Sequence, residues 1–139
     1  MTRGDTELGR RLTAFTVYRS ALLTFLIVGG AQIFLAGLGV FDVVGHQADS
    51  DSAFDAHRTL GFAMAGGALV ILVLALTARA GIRAIVLSGV LFVLTALMQS
   101  LLAGLADDTA LFGGLHALDG ILILGITGLL YSSARRSRR

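Results

Sequence analysis

The sequence contains no cysteine and no proline, and only 14% of its 139 residues are charged. The absence of cysteine excludes disulfides, thiolate metal sites, covalent attachment of a c-type haem and iron–sulfur clusters. Without proline, a kinked helix would have to bend at a glycine or at a bulge. A soluble domain normally has about a quarter of its residues charged, so the low charge favours a membrane protein.

Apolar residues are correspondingly abundant. They make up 55% of the chain, and four hydrophobic stretches stand out, at 20–41, 60–78, 84–106 and 117–131. About 20 apolar residues span the ~30 Å hydrocarbon core of a bilayer, and the fourth stretch reaches that length if it begins at residue 111, which places His116 inside it. The sequence therefore predicts an all-α integral membrane four-helix bundle.

The predicted bundle occupies 20–131, with an N-terminal segment at 1–19 and a basic tail at 132–139. All eleven basic residues are arginines. Ten of them precede the first stretch, separate the second from the third, or follow the fourth: Arg3, Arg10, Arg11, Arg19, Arg79, Arg83, Arg135, Arg136, Arg138 and Arg139. Arg58 alone lies on the other side, among six aspartates: Asp42, Asp49, Asp51, Asp55, Asp107 and Asp108.

This distribution predicts that both termini and the loop between the second and third helices are cytoplasmic, because arginine is enriched in cytoplasmic loops. The expected location is the inner (plasma) membrane. The sequence pI of about 9.9 comes from these arginine clusters. The lipid bilayer is therefore the partner that the charge pattern indicates, and nucleic acid is not.

An internal repeat is visible in the first and third stretches. The segment AQIFLAGL at 31–38 resembles MQSLLAGL at 98–105, and five of the eight positions are identical. The match of Gln32 with Gln99 is informative because the chain has only three glutamines.

Each copy continues through an outer loop to a histidine followed by two glycines. The spacing His-x3-Gly-x4-Gly is the same at His57 and at His116. The repeat predicts two parallel tandem helical hairpins, at about 20–78 and 84–131, related by an axis along the membrane normal.

The two histidines are the main candidates for cofactor ligands. Matching positions of a parallel repeat lie at one depth, so His57 and His116 are expected to face each other across the bundle. Such a pair suits axial ligation of one flat macrocycle. Gly61 and Gly120 lie four residues further on, on the same helix faces, where we expect them to leave room for the ring. The alternative is that each histidine is a polar residue at the membrane interface.

Two charged residues near the histidines have several predicted roles. Arg58 can pair with a haem propionate or form an ion pair with Asp55 or Asp119. Asp119 lies one turn inside the fourth helix, where a carboxylate is costly. It can hydrogen-bond His116, pair with Arg58 or stay protonated. Its counterpart in the first copy is Leu60, which breaks the symmetry.

The glutamines lie roughly 10 Å deeper than the histidines, by the rise of an α-helix. Gln32 and Gln99 can line the lower part of a cofactor pocket or hydrogen-bond the first helix to the third. The remaining histidine, His46, is predicted to be solvated in a polar loop. Met64 and Met98 are expected to pack within the bundle rather than act as ligands.

These residues resemble a known family. The run QIFLAG from Gln32, the sequence FDAHR around His57 and a further histidine on the fourth helix are similar to one four-helix half of the haem A synthase family. The chain also resembles small actinobacterial four-helix membrane proteins of unknown function. The resemblance implies a histidine pair on the second and fourth helices, preceded by an acid (here Asp55) and followed by an arginine (here Arg58).

The sequence also departs from that family. The family's acid is usually glutamate and lies one residue farther from the histidine. A single bundle has only one of the family's two sites, so the resemblance implies haem binding by His57 and His116, while the synthase reaction is not carried over.

The leading hypothesis is a membrane protein that binds haem b non-covalently through two histidines, for electron transfer or haem handling. A membrane redox partner or a second copy of the chain are its predicted protein partners. The alternatives are a cofactor-free accessory subunit and a bundle that binds a quinone or another small solute. Whether the protein is an enzyme is left open, with a non-enzymatic role favoured.

Overall fold

The computed structural model describes residues 3–45, 49–106 and 109–136. Within those ranges the chain contains helices and short turns and no β-strand. The predicted solvated His46, two of the six aspartates and the last two arginines lie outside the described residues: Asp107, Asp108, Arg138 and Arg139.

Four of the helices are long and apolar enough to cross a membrane. We number them α1 to α4, and they span Arg3–Val44, Asp55–Thr77, Ile82–Leu105 and Ala110–Arg136. A short helix, Ser50–Ala53, lies between α1 and α2. The predicted all-α architecture with four candidate membrane spans is confirmed.

The helices extend beyond the hydrophobic stretches that predict them. Helix α1 is continuous from Arg3, so no break separates the polar N-terminal segment from the first span. Helix α4 includes His116, as its predicted extension requires. The backbone hydrogen bonds of a helix form in water as well as in lipid. Hydropathy therefore predicts the membrane spans better than it predicts the helix ends.

Each long helix packs against two neighbours. Backbone contacts join α1 to α2, α2 to α3, α3 to α4 and α4 to α1. Within the described residues, no Cα atoms approach within 8 Å between α2 and α4 or between α1 and α3. The four helices thus form a square in which α2 and α4 lie on one diagonal.

The apolar core occupies one half of the length of the bundle, on the C-terminal side of the histidines in α2 and α4. Helix α2 buries Met64, Ala68, Ile71 and Ala75. Helix α4 buries a matching series: Ile123, Thr127, Leu130 and Ala134. Every member of the second series lies 59 positions after its partner in the first, which is also the separation of His57 and His116.

Helices α1 and α3 show a similar relationship, with one irregularity. The buried residues Leu22, Phe25 and Gly29 of α1 lie 66 positions before three buried residues of α3: Ser88, Leu91 and Thr95. Beyond them, Gln32 and Gln99 are separated by 67 positions.

A π-helical turn accounts for that change. Residues Leu94–Met98 of α3 form the turn, and the amide of Gln99 bonds to the carbonyl of Leu94, five residues earlier. An extra residue in a regular α-helix would rotate everything after it by about 100°. The wider turn absorbs the extra residue, so Gln99 keeps the orientation relative to the core that Gln32 has in α1. The π-turn forms in a helix that contains no proline.

Candidate cofactor site

Two reciprocal hydrogen bonds join Gln32 of α1 to His57 of α2. The side-chain Nε2 of Gln32 donates to the backbone carbonyl oxygen of His57 at 2.8 Å. In return, Nδ1 of the His57 ring lies 3.1 Å from the backbone carbonyl oxygen of Gln32. A carbonyl oxygen can only accept, so Nδ1 must carry the proton and donate it.

The same arrangement joins Gln99 of α3 to His116 of α4. Gln99 Nε2 donates to the backbone carbonyl oxygen of His116 at 2.9 Å. Nδ1 of His116 lies 3.2 Å from the backbone carbonyl oxygen of Gln99 and donates to it for the same reason. We call each reciprocal pair of bonds a clasp.

The clasps determine which nitrogen of each ring is available. With the proton on Nδ1, a neutral imidazole presents the lone pair of Nε2. A histidine that binds a metal usually donates its other ring N–H to a carboxylate or a backbone carbonyl, which orients the ring and makes it a better ligand. Both His57 and His116 meet this condition.

The two histidine rings meet across the diagonal of the bundle. Their centroids are 6.1 Å apart and their planes are inclined by 65°. They come from α2 and α4, whose backbones do not contact one another within the described residues. The two side chains therefore meet across a diagonal along which the two backbones do not contact one another.

The glycines four residues after each histidine lie against the glutamine amides. A Cβ atom on Gly61 would lie 3.2 Å from Gln32 Nε2, and one on Gly120 would lie 3.8 Å from Gln99 Nε2. The space predicted for a cofactor ring is thus the place where each amide reaches the histidine carbonyl. The approach is tight at Gly61 and an ordinary van der Waals contact at Gly120, so only the first clasp depends on its glycine.

Asp119 makes the two clasps unequal. Its side chain is 8% exposed, and its Oδ2 accepts a hydrogen bond from Gln99 Nε2 at 2.9 Å. The amide group of Gln99 has two hydrogens, which serve Asp119 and the carbonyl of His116. The glutamines therefore bond α1 to α2 and α3 to α4; neither bonds α1 to α3.

The first clasp has no acid at the corresponding position, which is Leu60. The amide of Gln32 must turn its NH₂ group toward the carbonyl of His57, so its oxygen points away. That oxygen, Oε1, is buried and has no hydrogen-bond partner in the described part of the chain. An isolated buried acceptor is costly, which makes it a candidate contact for a bound ligand or a water molecule.

Arg58 lies at the edge of the site. Its Nη2 lies 3.1 Å from Oδ1 of Asp55, and both side chains are largely exposed. Of the acidic partners considered from the sequence, Asp55 is the one with which it forms this ion pair. An exposed pair of this kind contributes about 0–1 kcal/mol, so the guanidinium can exchange partners at little cost.

The donor set is too small for a bare metal ion. Within the described residues no three histidine, cysteine, aspartate or glutamate side chains cluster closely enough to hold one. A structural zinc site needs four protein ligands and a catalytic one needs three.

The sequence pointed to the residues of this site but not to the bonds between them. Gln32, Gln99 and the histidines were singled out by the repeat, whereas the clasp uses backbone carbonyls, which carry no sequence signal. The constant spacing from each histidine to the following glycine was the available sign of this arrangement, and a close approach to the backbone occurs at Gly61.

Comparisons with known proteins give one match, to a family model that covers the central part of the chain. A protein-family model matches residues 32–107, more than half of the chain. The matched region includes Gln32, His57 and Gln99 and ends before His116. No curated protein and no solved structure matches the chain. On the strength of the family match, the chain belongs to DUF6220, a family of unknown function.

Proposed function

We propose that this protein binds one haem b non-covalently, with His57 and His116 as its axial ligands. One observation carries the proposal: both rings donate Nδ1–H to a backbone carbonyl, neither Nε2 has a hydrogen-bond partner among the described residues, and the two rings face each other across the bundle. A haem needs only two axial ligands from the protein, because the porphyrin supplies the other four nitrogens.

The spacing of the two rings fits such a ligand. Imidazoles bound to one metal ion from opposite sides, with nitrogen-to-metal distances of about 2.0 Å, have ring centroids about 6 Å apart. The centroids of His57 and His116 are 6.1 Å apart.

The protein's own residues would hold and orient the group. A bound haem would supply one-electron redox chemistry through its iron. The clasps keep each histidine in the tautomer that presents the lone pair of Nε2, and Arg58 at the edge of the site would pair with a propionate. Gln32 Oε1, which has no hydrogen-bond partner in the described residues, would add a polar contact beside His57. The carboxyl group of Asp119 would add one of different strength beside His116.

The proposed topology places this site at the outer face of the plasma membrane, with both termini in the cytoplasm. The arginine distribution supports the orientation. The matched burial of α2 and α4, together with the repeated clasp, supports two tandem hairpins related by an axis along the membrane normal. In this arrangement His57 and His116 come to one depth.

The proposal includes the resemblance to one half of the haem A synthase family. It also includes the partners of this protein. The positions of Asp55, His57, Arg58 and His116 support it, although the chain has one bundle where that family has two. We infer electron transfer or haem handling, with a membrane redox partner or a second copy of the chain.

An absorption spectrum tests the proposal. We expect the detergent-purified protein, supplied with haem, to give a sharp low-spin α band in its reduced-minus-oxidised spectrum. His57→Ala and His116→Ala should each remove that band, and His46→Ala, the matched histidine control, should keep it. A colourless protein, or a band that survives both site substitutions, would refute haem ligation at this pair.

A further inference from the structure

An open cavity lies between α1, α3, α4 and the turn that joins α2 to α3. Its volume is about 250 Å³, including the mouth. Six residues form most of its lining: Phe15, Tyr18, Ala80, Ala84, Leu130 and Ala134. The lining is apolar, because the hydroxyl of Tyr18 turns inward and lies 3.3 Å from the hydroxyl of Ser88. Three alanines leave the space that larger side chains would fill.

The cavity lies at the end of the bundle opposite to the histidines. Ala134 comes 18 positions after His116 on the continuous helix α4. At 1.5 Å per residue the two are about 27 Å apart along the helix, close to the ~30 Å thickness of a hydrocarbon core. The cavity therefore opens at the level where lipid headgroups meet acyl chains.

Four arginines stand beside this cavity. Each is the sequence neighbour of a lining residue: Arg19 of Tyr18, Arg79 of Ala80, Arg83 of Ala84 and Arg135 of Ala134. Every element that lines the cavity thus carries one of them. Three of the four side chains are exposed and that of Arg19 is partly exposed, so the arginines form a positively charged rim around an apolar interior.

The rim has no acidic partner among the described side chains. Glu7, the acid of the described part of α1 that lies nearest in the chain, binds Arg10 and Arg11 instead. The guanidinium carbon of Arg135 lies 5.9 Å from the ring centroid of Tyr131. That contact uses no hydrogen-bond acceptor, so the N–H donors of Arg135 stay available. The rim is therefore suited to an anion from outside the protein.

Arg79 occupies a backbone position that favours glycine. Its φ is +48°, and it is the one non-glycine residue of the described part with a positive φ. Glycine is the usual residue in this left-handed conformation just after the end of a helix. The conformation of the turn therefore does not explain the arginine.

We propose that the cavity and its rim bind one anionic phospholipid. The arginines take the phosphate, because the fork of donors on a guanidinium matches the oxygens of a phosphate group. An acyl segment of the same lipid fills the apolar cavity. Basic pockets between membrane helices are a general form of lipid site.

Charge and lining together favour this occupant. A free phosphate ion would leave the apolar lining in contact with water. A zwitterionic lipid would bring its own cation next to the positively charged rim. An anionic phospholipid satisfies both parts of the site, and its binding is independent of the proposed haem.

Native mass spectrometry of the full chain tests the proposal with two probes, palmitoyl-oleoyl phosphatidylglycerol and the phosphatidylcholine with the same chains. We expect one phosphatidylglycerol to stay bound after the detergent is removed, and phosphatidylcholine to be lost. Equal retention of the two lipids, or a second copy of the chain bound in place of a lipid, would overturn the proposal.

Arg79→Gly separates lipid binding from folding. The affinity for phosphatidylglycerol should fall about fivefold, the usual effect of one basic residue at an anionic surface. The melting temperature in neutral detergent should stay the same or rise, because glycine suits a φ of +48°. Arg10→Gln is the matched control: it removes an arginine that already pairs with Glu7, and should keep the full affinity. Equal affinities for these two variants would contradict a site at the rim.

Ala84→Leu distinguishes a lipid seat from diffuse attraction to positive charge. The longer side chain fills the cavity and changes no charge, so we expect the retained phosphatidylglycerol to be lost. Unchanged retention would show that the cavity takes no part and would overturn the proposal. Arg79→Gly, which favours the fold, keeps the test decisive if Ala84→Leu fails to fold.

Discussion

His116 and Gln99 bond each other twice, once through each side chain and each time to the other's backbone carbonyl. The same relationship recurs between His57 and Gln32. Hydrogen bonds between membrane helices contribute about 0.6 kcal/mol on average and about 1.7 kcal/mol at most. Two such bonds therefore orient an imidazole well without dominating the stability of the bundle.

Substitution of the glutamines should have unequal effects. Gln99→Leu removes bonds to His116 and to Asp119, whereas Gln32→Leu removes one bond and also relieves an unpaired oxygen. We expect Gln99→Leu to lower the free energy of unfolding by about 1–2 kcal/mol and Gln32→Leu by less than about 1 kcal/mol. Denaturation in mixed micelles measures both, and a larger loss for Gln32→Leu would contradict the assignment.

The glycines beside the clasps should also respond differently. A Cβ at position 61 lies within 3.2 Å of the Gln32 amide, while one at position 120 meets the Gln99 amide at an ordinary 3.8 Å. Gly61→Ala should therefore displace the amide and weaken haem binding, and Gly120→Ala should leave it nearly unchanged. Haem titration followed by absorbance gives both affinities. Equal affinities would show that the first clasp does not support the ligand.

Gly29 sets the contact between α1 and α4. A Cβ there would overlap Cδ2 of Leu124, so Gly29→Ala requires the side chain of Leu124 to move. We expect a loss of about 1 kcal/mol, the low end of the usual cost of overpacking, because Leu124 is half-buried and the end of its side chain can shift. The double variant Gly29→Ala/Leu124→Ala should be less destabilised than the sum of the single variants. Gly30→Ala is the control, because no atom lies within 4 Å of its added Cβ.

The π-turn should tolerate loss of one residue. Deletion of Ala96 would turn Leu94–Met98 into a regular α-helical turn and leave Gln99 facing His116, because α1 has the shorter spacing throughout. Helix α1 has no π-turn that could absorb a deletion. Deletion of Val28 would therefore rotate Gln32 by about 100° relative to the buried residues of α1 that precede it. Unfolding and haem spectra compare the two. Equal damage from both deletions would rule out this role for the turn.

Much of the site could be predicted from the sequence, because its residues recur at constant separations. The structure brings together the histidines and glutamines that the repeat singled out, and the buried residues of α2 and α4 have the same separation of 59 positions as the two histidines. The role of Gly61 and Gly120 was predicted differently, as space for a ring. A glycine in the sequence shows where a side chain is missing. Which group occupies that space depends on how the neighbouring helix packs.

The sequence by itself determined the class of protein and its four candidate spans, because transfer of apolar side chains into lipid depends on residue type and length alone. It also determined which residues could form the site. The tertiary structure decided how they are joined: the clasps depend on backbone carbonyls that every residue has, and their geometry exists only when two helices pack. The π-turn is of the same kind, since it arises where one extra residue must be absorbed between two helix segments that each face a fixed neighbour.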